Sequence, residues 1–137
     1  MGRRVQVKDG KIVVPEKVVL RQCLNYLTSR GYEPGVDFGR VNTAGTYDAK
    51  IECYRRNPWL FTGMPDIFGF KKTGVERIVS PPIGNSTVFY SLRMFAIECK
   101  SAKGKLSSQQ EAWRDKFIAS GGLYILAYSI DDISKIL

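Results

Sequence analysis

Met94-Phe95-Ala96-Ile97-Glu98-Cys99-Lys100 is the stretch on which the fold reading turns. An unbroken apolar run ends in two charged residues with a single residue between them. Strand side chains alternate, so Glu98 and Lys100 are expected on one face, with Ile97 and Cys99 on the other. Charges at the end of an apolar strand must be exposed, paired or metal-bound. A carboxylate-x-lysine triplet is weak alone, since about one is expected by chance in a chain of this size. This chain holds three of them, Asp9 to Lys11, Asp48 to Lys50 and Glu98 to Lys100. Only the last closes an apolar strand, where a rim ion pair and a catalytic pair are both open readings.

Upstream, Pro65-Asp66-Ile67-Phe68-Gly69-Phe70 places a second carboxylate just before another apolar strand. The segment from Ser80 to Ser86 holds two prolines, which cannot donate to a ladder, and reads as a loop. The Asp66 strand and the strand from Thr87 to Cys99 are therefore expected to be neighbours, with Glu76 to Val79 adding a strand between them. Two carboxylates converging on one sheet edge repel unless a cation lies between them. Oxygen ligands suit Mg²⁺ or Mn²⁺. Such an ion lowers the pKa of a bound water and neutralises charge growing on a scissile phosphate. Lys100, on the same face, is placed to stabilise that charge or to orient the attacking group.

Working outward, Val5 to Val14 alternates around Asp9-Gly10 and reads as a hairpin over about residues 3–14. Pro15-Glu16 opens a helix to about Arg30, with Val19, Cys23, Tyr26 and Leu27 as its apolar stripe and Gly31 as its stop. Phe38 to Tyr47 reads as a strand leading into a glycine-rich loop, and residues 48–64 give no clear pattern. A second helix starts at Ser107, carries Leu106, Gln110, Trp113 and Phe117 on one side, and ends at Gly121-Gly122. Leu123 to Tyr128 is a buried strand by its continuous apolar character. Ser129 to Leu137 is a short final helix with a Ser-x-x-Asp cap. Helix, several strands, helix, strand, helix predicts one α/β domain over residues 1–137, a mixed central β-sheet flanked by helices.

Composition limits the chemistry. There is no histidine, which removes the usual general base and the commonest transition-metal ligand. His-dependent nucleases, zinc deaminases and Ser-His or Cys-His hydrolysis are excluded. Lys and Arg number 21 against 13 Asp and Glu, a net charge of +8, which favours a polyanionic partner such as DNA. Cys23, Cys53 and Cys99 are scattered and odd in number, as reduced thiols are. No apolar run approaches the roughly 20 residues a membrane span needs. The Met-Gly-Arg-Arg-Val start has no signal-peptide core, so a cytoplasmic location is expected.

Gly63-Met64-Pro65-Asp66, Ile97-Glu98-Cys99-Lys100 and Gly104-Lys105-Leu106-Ser107-Ser108-Gln109-Gln110 together resemble the VRR-NUC (virus-type replication-repair nuclease) branch of the PD-(D/E)XK superfamily. Gly121-Gly122 before the last core strand fits the same pattern. Arg40-Val41-Asn42-Thr43 with Gly45 resembles the Arg-x-Asn-Thr-Gly stretch of phage members, interrupted here by Ala44. Glu16 matches their first acidic residue. The resemblance covers about residues 16–137 and implies a restriction-endonuclease-like sandwich. It implies Asp66, Glu98, Lys100 and Gln110 as catalytic residues. The metal ligands would be Asp66, Glu98, the Cys99 backbone carbonyl and Glu16, with DNA contacts at Arg40, Asn42, Lys103 and Lys105. More residues separate Asp66 from Glu98 than a plain hairpin needs, so about residues 71–88 read as an insertion.

Three assignments keep alternatives. Ser107-x-x-Gln110 is itself a capping box, so Gln110 either only closes the helix or reaches the site. Glu16 is either a metal ligand or a favourable first-turn acid. Arg3-Arg4, Arg55-Arg56 and Lys71-Lys72 are either phosphate contacts or solvated charge, and Trp59 and Phe61 either stack on bases or pack internally. The expected function is Mg²⁺- or Mn²⁺-dependent cleavage of DNA, selective for branched substrates, in phage or mobile-element replication, recombination or repair. One site per small chain implies a homodimer for paired cuts. The rivals are an inactive nucleic-acid-binding module of the same fold and a structural protein of a phage particle.

Overall fold

The computed structural model describes residues 6–8, 11–41, 46–55, 63–80 and 85–137. Its frame is a four-stranded sheet in the order β3-β6-β7-β8, formed by β3 (Phe38–Arg40), β6 (Ile67–Ser80), β7 (Asn85–Cys99) and β8 (Leu123–Ala127). β3, β6 and β7 pair antiparallel, and β8 joins β7 in parallel. A parallel neighbour needs a crossover, which α2 (Ser108–Ala119) supplies between β7 and β8. The expected mixed α/β sandwich is therefore the observed architecture.

The two faces are covered differently. Ile67, Phe95, Ile97, Cys99, Ile125 and Ala127 turn to one face and are buried against Val19, Leu20, Cys23 and Leu27 of α1 (Glu16–Ser29) and Ile133 of α3 (Ile130–Ser134). Phe68 turns the other way and meets Phe117 of α2, with ring centroids 5.9 Å apart. Trp113 stacks on Phe117 at 4.8 Å, yet no residue of α2 is fully buried. The α1 face is the core; the α2 face is more open.

Local signals explain the helix ends. At α1 the Gly31 φ of 91° lets the chain reverse, and the Tyr32 N–H donates to Leu27 O at 3.1 Å. Gly121, with φ also 91°, does the same for α2, where the Gly122 N–H reaches Phe117 O at 3.0 Å. At α3 the Asp132 carboxylate accepts from the Ser129 N–H at 3.2 Å, as the Ser-x-x-Asp signal requires. β1 (Gln6–Lys8) and β2 (Lys11–Val13) form the expected N-terminal pair, with their Asp9-Gly10 turn outside the described residues.

Two strand readings need correction. Glu76 to Val79 is not a strand between two others but the continuation of β6, which runs unbroken to Ser80. A register shift between Lys72 and Gly74 absorbs one extra residue without ending the ladder. β7 also starts earlier than expected, with Asn85 and Ser86 already paired to Ser80 and Val79. β4 (Thr46–Asp48), which begins in the expected glycine-rich loop, pairs with β5 (Cys53–Arg55) in the stretch that gave no pattern, a small separate hairpin. No described helix is long and apolar enough to cross a membrane.

Candidate active site

The β6–β7 register settles where the two expected carboxylates meet. Ile67 faces Ile97, so the next step outward sets Asp66 across from Glu98. Their long separation in sequence is taken up by the hairpin itself. The Asp66 Oδ2 accepts a hydrogen bond from the Cys99 N–H at 2.8 Å, which anchors the carboxylate on the end of the neighbouring strand. Glu16, first residue of α1, reaches the same place. Carboxylate oxygens of Glu16, Asp66 and Glu98 lie within 4.8 Å of one another.

Lys100 follows β7, and its N–H donates to Ala127 O at 2.9 Å. Its Nζ is 2.9 Å from Glu98 Oε1. Gly104 lets the following turn fold close to this side chain, since a Cβ there would stand 3.0 Å from the Lys100 Cβ. The Tyr128 hydroxyl donates to the Gly104 carbonyl at 3.0 Å and pins that turn to the end of β8.

Gln110 closes the capping box and also touches Glu98. Its Oε1 accepts from the Ser107 N–H at 2.9 Å while its N–H donates to Ser107 Oγ at 3.2 Å, completing the capping box. Its Nε2 donates to Glu98 Oε1 at 2.7 Å. The amide has an acceptor and a donor end, and each is spent on a different task. Both Lys100 and Gln110 engage Oε1. Among the described residues, no hydrogen bond or ion pair takes the other Glu98 oxygen.

Gly63 secures the opposite wall. Its φ is 85°, and a Cβ there would run into the Gln109 carbonyl and stand 2.8 Å from the Gln110 nitrogen. Only glycine lets the Gly63-Met64-Pro65-Asp66 turn lie against the first turn of α2, bringing Asp66 and Gln110 to the same side chain.

The electrostatics are those of a crowded acidic site. Glu98 is 2% exposed, and burial pushes its pKa above the usual carboxylate range. The Lys100 hydrogen bond opposes that rise, whereas the charges of Asp66 and Glu16 add to it. For Lys100 burial acts downward, but the Glu98 hydrogen bond and the three carboxylate charges outweigh it and the net shift is upward. Lys100 is therefore an ammonium at neutral pH. A buried carboxylate whose neighbours are two more carboxylates is a group that a hard cation relieves. The donor set, oxygen throughout, fits Mg²⁺ or Mn²⁺.

The other expected residues are scattered. Arg40 is exposed at the end of β3, next to Val41, whose N–H donates to the Asp66 carbonyl at 2.9 Å. Lys103 and Lys105 are exposed in the turn between Lys100 and α2. Lys71 Nζ is tied to the Ile136 carbonyl at 2.6 Å, and Lys72 lies 4.8 Å over the Tyr90 ring. Asn42, Arg3, Arg4, Arg56, Trp59 and Phe61 lie outside the described residues. All three cysteines are free thiols. Cys23 and Cys99 are both buried, and the influence of Cys23, followed by burial, pushes the Cys99 thiol far up.

Tyr124 is a residue that sequence reasoning misses. It pairs with Ala96 and so shares the Glu98 face. Its hydroxyl is buried and has no hydrogen-bond partner among the described residues, and burial followed by the Glu98 charge drives its pKa well up. An apolar strand of the form Leu-Tyr-Ile-Leu-Ala offers no signal for this, because tyrosine in it reads as core.

The VRR-NUC domain model matches residues 18–131, most of the chain, beginning just after Glu16 and spanning Asp66, Glu98, Lys100 and Gln110. No curated protein and no solved structure matches the chain. With the sheet, the crossover helix and the matched span in agreement, the chain belongs to the VRR-NUC domain family, a nuclease-type domain.

Proposed function

We propose that this chain is a deoxyribonuclease that hydrolyses phosphodiester bonds with Mg²⁺ or Mn²⁺. The observation that carries the reading is the convergence of Glu16, Asp66 and Glu98 oxygens within 4.8 Å, with Lys100 Nζ 2.9 Å from Glu98. These three carboxylates would hold the ion, with the Cys99 backbone carbonyl as a further oxygen ligand. When bound, the ion supplies Lewis acidity, making water a stronger nucleophile and drawing off phosphate charge. The protein's own groups do the rest. Lys100 carries its proton and offers a fixed positive charge to the phosphate as negative charge grows. Gln110, through its Nε2, holds the Glu98 carboxylate in one rotamer. The Cys99 N–H does the same for Asp66.

The resemblance supports finer assignments. We take the substrate to be branched or junction DNA, met in phage or mobile-element replication, recombination or repair in the cytoplasm, the host's if the chain is viral. Paired cuts would come from a homodimer. The alternative is an inactive nucleic-acid-binding module. What favours it is the Lys100–Glu98 pair, which already balances the buried charge.

The test is incubation with linear and branched DNAs, with and without Mn²⁺, alongside Glu98→Gln and Lys100→Ala. Cleavage should require the metal and stop in EDTA, and each substitution should lower it by ~10²-fold or more, as removal of one preorganised electrostatic group does. Undiminished activity in EDTA, or in Lys100→Ala, would overturn the mechanism. DNA binding without cleavage under any metal would select the binding-module reading.

A further inference from the structure

We propose that Lys17, Arg21 and Arg40 form a phosphate cradle that grips the DNA backbone beside the acidic cluster. The three side chains line one concavity of about 330 Å³, floored by Leu20 and Leu24. It rests on the nuclease reading above, because it assigns these cations to the strand that the acidic cluster would cut.

Charge imbalance is the first observation. α1 contains only three charged residues, Glu16, Lys17 and Arg21, and Glu16 points its carboxylate into the acidic cluster. Lys17 and Arg21 are four apart, on the same side of the helix, where like charges destabilise it. Arg40 adds a third cation from the end of β3. None of the three makes an ion pair or side-chain hydrogen bond among the described residues. Elsewhere Arg114 pairs with Asp115, Lys100 with Glu98, and Lys71 and Arg93 donate to main-chain carbonyls. Three unpaired cations around one hollow are a site for an anion.

Position says which anion. Arg40 pairs with Ile67, one residue from Asp66, and Lys17 is the residue after Glu16. The cradle thus adjoins two of the three clustered carboxylates. Arg21 stands roughly 7.5 Å further along the α1 axis than Glu16 at 1.5 Å per residue. Guanidinium groups match phosphate oxygens in pairs, which suits a backbone held in a fixed register. The carboxylates repel a phosphate until their cation binds, so an adjoining basic hollow is what would keep the strand in place.

The experiment measures binding of the full chain to a short DNA duplex by fluorescence anisotropy, from 50 to 200 mM salt, in a Glu98→Gln background that prevents cutting. Lys17→Ala/Arg21→Ala is compared with Lys116→Ala/Lys135→Ala, which removes the same charge from exposed positions away from the hollow. Each phosphate contact removed should reduce the slope of log K against log salt by about 0.9. The cradle pair should therefore lower it by nearly two units and weaken binding by roughly ten-fold or more. Adding Arg40→Ala should take away about one unit more. The control pair should leave the slope nearly intact. Mn²⁺ affinity, measured with Glu98 restored, and melting temperature should not move, since alanine suits a helix interior. Equal slopes for the two pairs would overturn the cradle while leaving the nuclease reading standing. A Glu98→Gln protein that binds no DNA, together with a wild type that cuts none, would overturn both.

Discussion

The two halves of the β6–β7 hairpin are made of similar residues and have opposite environments. Near the site, Phe95, Ala96, Ile97 and Cys99 are fully buried. Further out, Val75, Phe89, Tyr90 and Leu92 are each more than half exposed. Neighbours account for the difference. β3 pairs only with Ile67 to Gly69, and β8 only with Phe95 to Cys99, so beyond these the described residues form a ribbon of two strands with no third strand on either edge. A two-stranded ribbon alone is marginal in water. Apolar, β-branched sequence makes a strand, but third and fourth strands and a helix on each face make a core. The candidate site lies at the end where all of these converge.

The same substitution, made once beside the site and once in the outer half, gives the sharpest test of that contrast. Gly63→Ala puts a Cβ into the Gln109–Gln110 backbone and forces a left-handed φ of 85° on alanine. Strain of this kind costs about 1–3 kcal/mol before any relaxation of α2. Gly74→Ala in the outer half meets only Ser91 side-chain atoms, the nearest at 3.5 Å, an ordinary contact. Gly63→Ala should lower the melting temperature by several degrees, at roughly 2–8 °C per kcal/mol for domains of this general size. It should also cost metal affinity, whereas Gly74→Ala should match wild type in both. Equal effects in thermal melts and Mn²⁺ titrations would erase the distinction.

A smaller effect is expected from Gln110→Glu. A carboxylate can still accept from the Ser107 N–H and suits a helix N-terminus, so the cap should survive. The other end changes sign. In place of an N–H donor 2.7 Å from Glu98 Oε1 there would be a second anion, beside a group already pushed up in pKa by burial. Turnover should fall by about an order of magnitude, in line with loss of one positioning hydrogen bond, while the melting temperature changes little. Wild-type turnover across a range of Mg²⁺ concentrations would return Gln110 to capping alone.

Much of the fold is legible in the sequence because its signals are local. Gly31, Gly121, the Ser107 and Ser129 boxes and the apolar run after Gly122 each mark an element by chemistry confined to a few residues. The length of β6 is not legible in this way. The sequence reads as one strand around Asp66 to Phe70 and another over Glu76 to Val79, and only the partner strand shows that one bulge carries the ladder through. For the site, Asp66, Glu98 and Lys100 stand out because charges break an apolar pattern visibly. Lys17 and Arg21 do not, because cations on an amphipathic helix are what solvent requires. Their meaning depends on Arg40 arriving from another element. Gln110 stays between two roles because a sequence cannot show that the two ends of one amide face different partners.

The smallest expected effect comes from removing the outer half. We read residues 71–88 as an insertion carried on the nuclease core, and the register suggests how to shorten it. Lys72 pairs with Leu92, so replacing residues 73–91 by Asn-Gly joins paired positions through a two-residue turn of the type that suits right-handed strand twist. Among the described side chains the trimming removes little: Lys72 over the Tyr90 ring at 4.8 Å, and the Thr73 hydroxyl on Ser91 O at 3.3 Å. An exposed cation–π contact is worth only about 0.5–1 kcal/mol. A shorter connection also lowers the loop-closure cost, though slowly with length. None of the described core residues falls within the excised span, and Asp66, Glu98 and their anchors at Cys99 and Gln110 are all retained. The trimmed protein should therefore melt within a few degrees of wild type, bind Mn²⁺ unchanged and cut a linear duplex at a comparable rate. A collapse of metal affinity with the melting temperature preserved would mean that the outer ribbon shapes the site through an interaction the inner half lacks, and the two halves would have to be treated as one functional unit.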